Sequence, residues 1–154
     1  MTRLRTRIFL TMSIIAGLPL QPMQAKEPRS VDLLGSWRVT RVLDSSDISA
    51  IDDRQAAQLV VKTFIIERDK VSLGGKTCLN PEFEIHYEDT VRYLREEAHA
   101  ASGKLGLPTT VEVIDLACTE VLRKDYKTVV LYWQGYFFDA VKQETDTRHG
   151  HAPR

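Results

Sequence analysis

Between Leu33 and Leu43 the chain alternates. Trp37, Val39, Arg41 and Leu43 fall on one face of an extended segment, and Ser36, Arg38, Thr40 and Val42 fall on the other. A period of two is that of a β-strand with one side turned inward. An indole on that inner side restricts the fold more than any other feature, because a strand cannot bury so large a ring without neighbouring strands. Gly35, two residues before Trp37, gives the backbone room to bend where the ring enters.

The rest of the chain supplies those neighbours. Thr63–Glu67 and Lys70–Leu73 read as a hairpin around Arg68-Asp69, with β-branched flanks and a charged tip. Gly74-Gly75 ends that pair, and residues 76–81 read as a loop carrying Cys78. Glu82–Tyr87 alternates, with Phe83, Ile85 and Tyr87 expected inward. Residues 110–117, 120–123, 128–133 and 136–142 complete a count of eight strands, with turns at 124–127 and at Gln134-Gly135. Two short helices are expected to pack outside. One spans about 50–60 and is capped by Ser49; the other spans about 91–102 and is stopped by Gly103, Gly106 and Pro108. The fold class is therefore mainly β, an eight-stranded antiparallel up-and-down barrel over residues 33–143, closed so that no strand edge is left exposed.

The first 25 residues read as a signal peptide. Arg3, Arg5 and Arg7 precede the apolar run Ile8–Leu20, and Met23-Gln24-Ala25 offers a cleavage site. That run is too short for a bilayer, which needs about 20 apolar residues. Residues 26–32 read as a mobile leader and 144–154 as a disordered tail. Without residues 1–25 the chain carries 18 basic and 21 acidic residues, a formal charge of −3. A small negative charge argues against a nucleic-acid partner, which requires a concentrated basic surface. No later segment is apolar enough to span a membrane. The expected location is the periplasm or the exterior. There the two cysteines, Cys78 and Cys118, are most simply a disulfide.

These residues resemble the lipocalin and wider calycin families. Their barrels open on Gly-x-Trp, matched by Gly35-Ser36-Trp37, often followed by a short helix. Lipocalins carry Thr-Asp-Tyr between their sixth and seventh strands, where Lys124-Asp125-Tyr126 stands here. In that family a basic side chain from the last strand packs over the tryptophan, and the resemblance assigns this position to Lys142. It implies a barrel that holds a small, partly apolar ligand.

Nothing points to catalysis, so the chain reads as non-catalytic. His86 and His99 fall on an outward strand face and a charged helix, and no serine lies in a Gly-x-Ser-x-Gly turn. His149 and His151 belong to the polar tail, and neither a metal nor a cofactor is expected. Strand alternation instead suggests a ligand site within the barrel. Arg41 shares the face of Trp37, and Asp115 shares that of Val111 and Val113. They form an internal ion pair, or reach solvent at the strand ends, or make a polar anchor in a cavity walled by Tyr87, Trp133 and Phe138. The competing partner is an envelope enzyme. Small disulfide-bonded barrels of this style resemble periplasmic lysozyme inhibitors, although their Tyr-x-Cys-x-x-Gly signature is absent.

Overall fold

The computed structural model describes residues 33–100 and 103–144. The expected signal peptide, leader and all but the first residue of the tail lie outside them. Among the described residues nine strands and two helices follow one another as β1 (Gly35–Ser45), α1 (Asp53–Leu59), β2 (Thr63–Ile66), β3 (Lys70–Leu73), β4 (Lys76–Leu79), β5 (Glu84–Asp89), α2 (Thr90–Glu96), β6 (Thr110–Asp115), β7 (Glu120–Arg123), β8 (Thr128–Trp133) and β9 (Tyr136–Lys142). The strands form a single antiparallel sheet in the order β4-β3-β2-β1-β9-β8-β7-β6-β5, curled into a half-barrel. First and last strands pair along most of their length, from Trp37 opposite Lys142 to Ser45 opposite Tyr136.

This corrects the expected closed barrel of eight strands. The ninth strand is β4, over residues expected to form a loop. Gly74 and Gly75 take φ of +60° and +85°, so they form a two-residue hairpin turn rather than a stop, and Leu73 pairs with Lys76 across it. Two consecutive positive φ values match the twist of the flanking strands, and glycine reaches them without strain. The sheet stays open between β4 and β5. The four residues that join them make no ladder, and the Cys78–Cys118 disulfide links β4 to the β6–β7 turn instead.

Two apolar clusters share this one sheet. The inner cluster contains Trp37, Phe64, Leu131 and Phe138, all fully buried in the hollow of the curl. Trp37 donates its indole N–H to the Leu33 carbonyl at 2.8 Å. The outer cluster packs Tyr93 and Leu94 of α2, with Ala98, Ala100 and Leu105, onto Val111, Val113, Leu122, Val130 and Phe137. Strands β6 to β9 are therefore covered on both faces.

β1 does not alternate throughout. Its register against β9 shifts between Val39 and Arg41 and again between Val42 and Asp44. A bulge inserts one unpaired residue and reverses which side the following residues face. Val39 and Val42 consequently both pack on the inner cluster, while Arg41 is turned outward and Leu43 packs on the outer one.

The helices are shorter than their sequence patterns suggested. α1 is capped by Asp52 rather than Ser49. Its carboxylate accepts from the Gln55 N–H at 2.8 Å, and the Gln55 side chain accepts from the Asp52 N–H at 3.0 Å. α2 begins on Asp89, which accepts from the Arg92 N–H, and the chain leaves the helical conformation through His99 at φ +47°, before either expected glycine stop.

Candidate functional site

The mouth of the half-barrel lies where α1 crosses the ends of β3, β4 and β8. The chain enters α1 fastened to the β8–β9 turn: Ser46 N–H donates to the Gly135 carbonyl at 2.8 Å and Ala50 N–H to the Gln134 carbonyl at 3.0 Å. A Cβ at Gly135 would stand 2.5 Å from Ser49 Cα, so only glycine permits this approach. On the far side of the helix, Val61 N–H donates to the Val39 carbonyl and Val39 N–H to the Lys62 carbonyl. Both ends of α1 are thereby tied to the sheet, and its apolar residues Ala56 and Leu59 lean on the inner cluster.

Beneath α1 is a cavity of about 240 Å³. Its apolar wall is Ile51, Leu59, Leu73 and Trp133, and its polar rim is Gln55, Gln58, Lys62, Lys76 and Gln134. The volume corresponds to roughly eight waters at about 30 Å³ each. Trp133 is braced from inside by Phe64, edge-on at 6.1 Å. The lining contains no carboxylate.

A second cavity, of about 450 Å³, lies on the outer face between α2 and strands β5 to β7. It is lined by His86, Glu88, Arg92, Tyr93, Glu96, Glu97, Asp115 and Glu120. The Tyr93 hydroxyl donates to the Glu120 carboxylate. Burial pushes the Glu120 carboxyl above its usual range, against the opposing pull of that hydrogen bond. Burial and the neighbouring Glu120 raise the Tyr93 phenol as well. Among the described residues no group of three or more His, Cys, Asp or Glu is arranged to hold a metal ion.

The residues expected to line an internal site are dispersed. Trp133 lines the mouth cavity, whereas Phe138 is wholly enclosed in the inner cluster. Arg41 is 65% exposed at its side chain and pairs on the outer face with Asp139, Nη2 to Oδ2 at 2.6 Å. The bulge at Thr40 is the reason. Asp115 faces outward because Val111 and Val113 pack under α2, leaving Ile114 and Leu116 for the interior. Its Oδ1 accepts from the Ala117 N–H at 2.6 Å. Tyr87 is 60% exposed, since β5 is an edge with no strand beyond it among the described residues. The anticipated Arg41–Asp115 pair is therefore not formed.

The polar residues that do lie deep in the sheet are others. Glu112 and Arg123 sit opposite each other on β6 and β7 and bond at 2.7 Å, with Glu112 5% exposed at its side chain. Glu112 shares a strand face with the inward Ile114 and Leu116, so the same alternation that turns Asp115 outward turns Glu112 inward. Asp139 was missed altogether. It lies between Arg41 and Lys124, whose Nζ approaches Oδ1 at 2.5 Å. Of the structural candidates, Gly35 opens β1 opposite Ile66, and the Lys142 ammonium lies 5.4 Å from the centre of the Trp37 ring. Lys124, Asp125 and Tyr126 occupy the β7–β8 turn, where Asp125 accepts from the N–H groups of Lys127 and Thr128. These hydrogen bonds hold its carboxyl below the usual range.

Comparison with protein-family models, with curated proteins and with solved structures finds no match to this chain in any of the three.

Proposed function

We propose that the chain is a non-catalytic binding protein of the cell envelope that holds a small, partly apolar molecule at the mouth of its half-barrel. The observation that carries this reading is the cavity under α1, where Trp133, Leu73, Leu59 and Ile51 form an apolar wall beside a rim of amides and ammonium groups. A largely apolar wall with a few orienting polar groups is the usual composition of a small-ligand site. The inner cluster itself is occupied by side chains, so the ligand is assigned to the mouth rather than the barrel centre. The envelope location is supported by the signal-like residues 1–25 and by a disulfide compatible with an oxidising compartment. No helix among the described residues is long and apolar enough to cross a membrane.

Native mass spectrometry of the chain, purified gently from a periplasmic extract, tests the proposal. The expected result is a co-purifying small molecule that is lost in a Leu59→Trp variant of unchanged melting temperature. A ligand-free spectrum, or a ligand retained equally by the filled variant, would count against it.

A second reading, an inhibitor of a wall-degrading enzyme, is favoured by the exposed apolar side chains of the two edge strands. Leu79 on β4 is 69% exposed and Tyr87 on β5 is 60% exposed. Recovery of such an enzyme by the wild-type chain and not by Tyr87→Ser would favour this reading over the first.

A further inference from the structure

We infer that the molecule held at the mouth is a small organic acid, its carboxylate set between Lys62 and Lys76 and its apolar body against Trp133 and Leu73. This rests on the small-molecule reading above and names its chemical class. The first ground is charge. The lining holds two ammonium groups and no carboxylate, in a chain with as many acidic as basic residues. The second is that the nearby acids are committed elsewhere. Asp52 accepts from the Gln55 N–H as the helix cap, and Asp53 accepts from the Tyr136 hydroxyl at 2.6 Å.

The third ground is the direction of the hydrogen-bonding groups. The Gln55 side-chain oxygen already accepts from the Asp52 N–H, so its amide offers donors to the cavity. Lys62 and Lys76 bring donors only. Lys70, Lys124 and Lys127 each meet a carboxylate, whereas Lys62 and Lys76 form no ion pair among the described residues. A rim biased toward donors and positive charge is completed by an acceptor that is itself negative. An amine would meet two like charges there, and an alcohol would satisfy one donor and neutralise nothing. A cavity of about 240 Å³ accommodates the body of an acid of about eight to ten non-hydrogen atoms.

The test compares three probes of nearly equal shape, phenylacetate, 2-phenylethanol and phenethylamine, by isothermal titration against the mature chain at low salt. The expected order is acid first, alcohol weaker and amine weakest. The acid should lose affinity as salt rises, because rim charges are screened. The double variant Lys62→Gln/Lys76→Gln should weaken phenylacetate by about tenfold, the product of two exposed pairs, and leave 2-phenylethanol within about twofold. Both substitutions are at exposed positions, so the fold should be retained, and circular dichroism checks this. Equal binding of acid and amine, or a double variant that binds the acid undiminished, overturns the acid assignment while the mouth remains a ligand site. Failure of all three probes at about 10 mM overturns the assignment together with the small-molecule reading.

Discussion

Asp139 has a carboxylate that is almost fully enclosed and meets two cations of unequal exposure. The Arg41 side chain is 65% exposed, while that of Lys124 is 13% exposed. Removing the acid leaves the Lys124 ammonium buried without its partner, whereas removing Arg41 leaves Asp139 still paired. Asp139→Ala is therefore expected to destabilise by about 3–5 kcal/mol, the cost of orphaning a buried charge. Arg41→Ala should cost under about 1 kcal/mol, as for other exposed pairs. Urea titration of the two variants distinguishes them, and equal losses would show that the outer guanidinium holds the acid in place. The sequence did not disclose this site, because a charged residue within an aromatic strand reads as a solvent-facing position. Only the bulge at Thr40, which nothing in the local residue types announces, turns Arg41 to meet it.

Glu120 adds a pH dependence of defined sign. Its folded-state carboxyl titrates above the usual range, first because it is buried. Below the ordinary carboxylate value both states are protonated and the group has no effect. As pH rises through that value the unfolded chain ionises first, so the unfolded state gains and stability falls until the folded carboxyl ionises too. The difference between wild type and Glu120→Gln in thermal midpoint should therefore grow with pH above about 4.5, in favour of the variant. Tyr93→Phe removes the hydrogen bond that pulls Glu120 down, so its decline should extend to higher pH than in wild type. Parallel curves for wild type and Glu120→Gln would mean that the group is as well solvated folded as unfolded.

Among the elements, β4 shows what was legible and what was not. The cysteine pairing followed from a count of two cysteines and an expected oxidising compartment, and the strand that carries one of them did not. Lys76–Leu79 has little apolar content, and three of its four residues are exposed. Its strand state is set by the turn before it and by pairing with Lys70–Leu73. The remaining hairpins were plain in the sequence, because short apolar runs rich in β-branched and aromatic residues on either side of Gln134-Gly135 and Lys124–Lys127 leave few other arrangements. The length of α2 was not, since a left-handed His99 ends the turn where a glycine would ordinarily announce it. For β4 the disulfide supplies what the missing β5 ladder does not. Cys78→Ser/Cys118→Ser should lower global stability by about 2–4 kcal/mol, given the 40-residue separation that the bridge closes. Chemical denaturation measures the loss, and a change below about 1 kcal/mol would mean that the rest of the sheet fixes β4 unaided.

Over the whole molecule the two ends of the sheet are unequal. Strands β6 to β9 are enclosed between the inner cluster and the α2 cluster, so that five of the seven residues of β9 are buried. Strands β2 to β4 have the inner cluster on one side and α1 only at the mouth. They end in a free edge beside another free edge, β5, which packing on α2 protects on one face. In a barrel closed by hydrogen bonds every strand has two neighbours, and opening one requires opening all. Here the chain can lose β3 and β4 without breaking the β8–β9 ladder. Such partial opening appears in native-state hydrogen exchange as amides with a lower opening free energy than the core. The amides of Leu131 and Phe138 should exchange through global unfolding, and those of Val71 and Ser72 through a smaller opening of weaker denaturant dependence. Reducing the disulfide should widen that gap, because the bridge from β4 to the β6–β7 turn is a covalent tie across the open seam in addition to the short connection from β4 to β5. If the amides of β3 instead matched those of β8 in both free energy and denaturant slope, the seam would have no energetic consequence. The mouth cavity would then be framed by rigid walls on both sides. If they differ as expected, the wall formed by Leu73, Gly74 and Lys76 moves independently of Trp133, and a ligand lying across the two should slow exchange in β3 and β4 more than anywhere else.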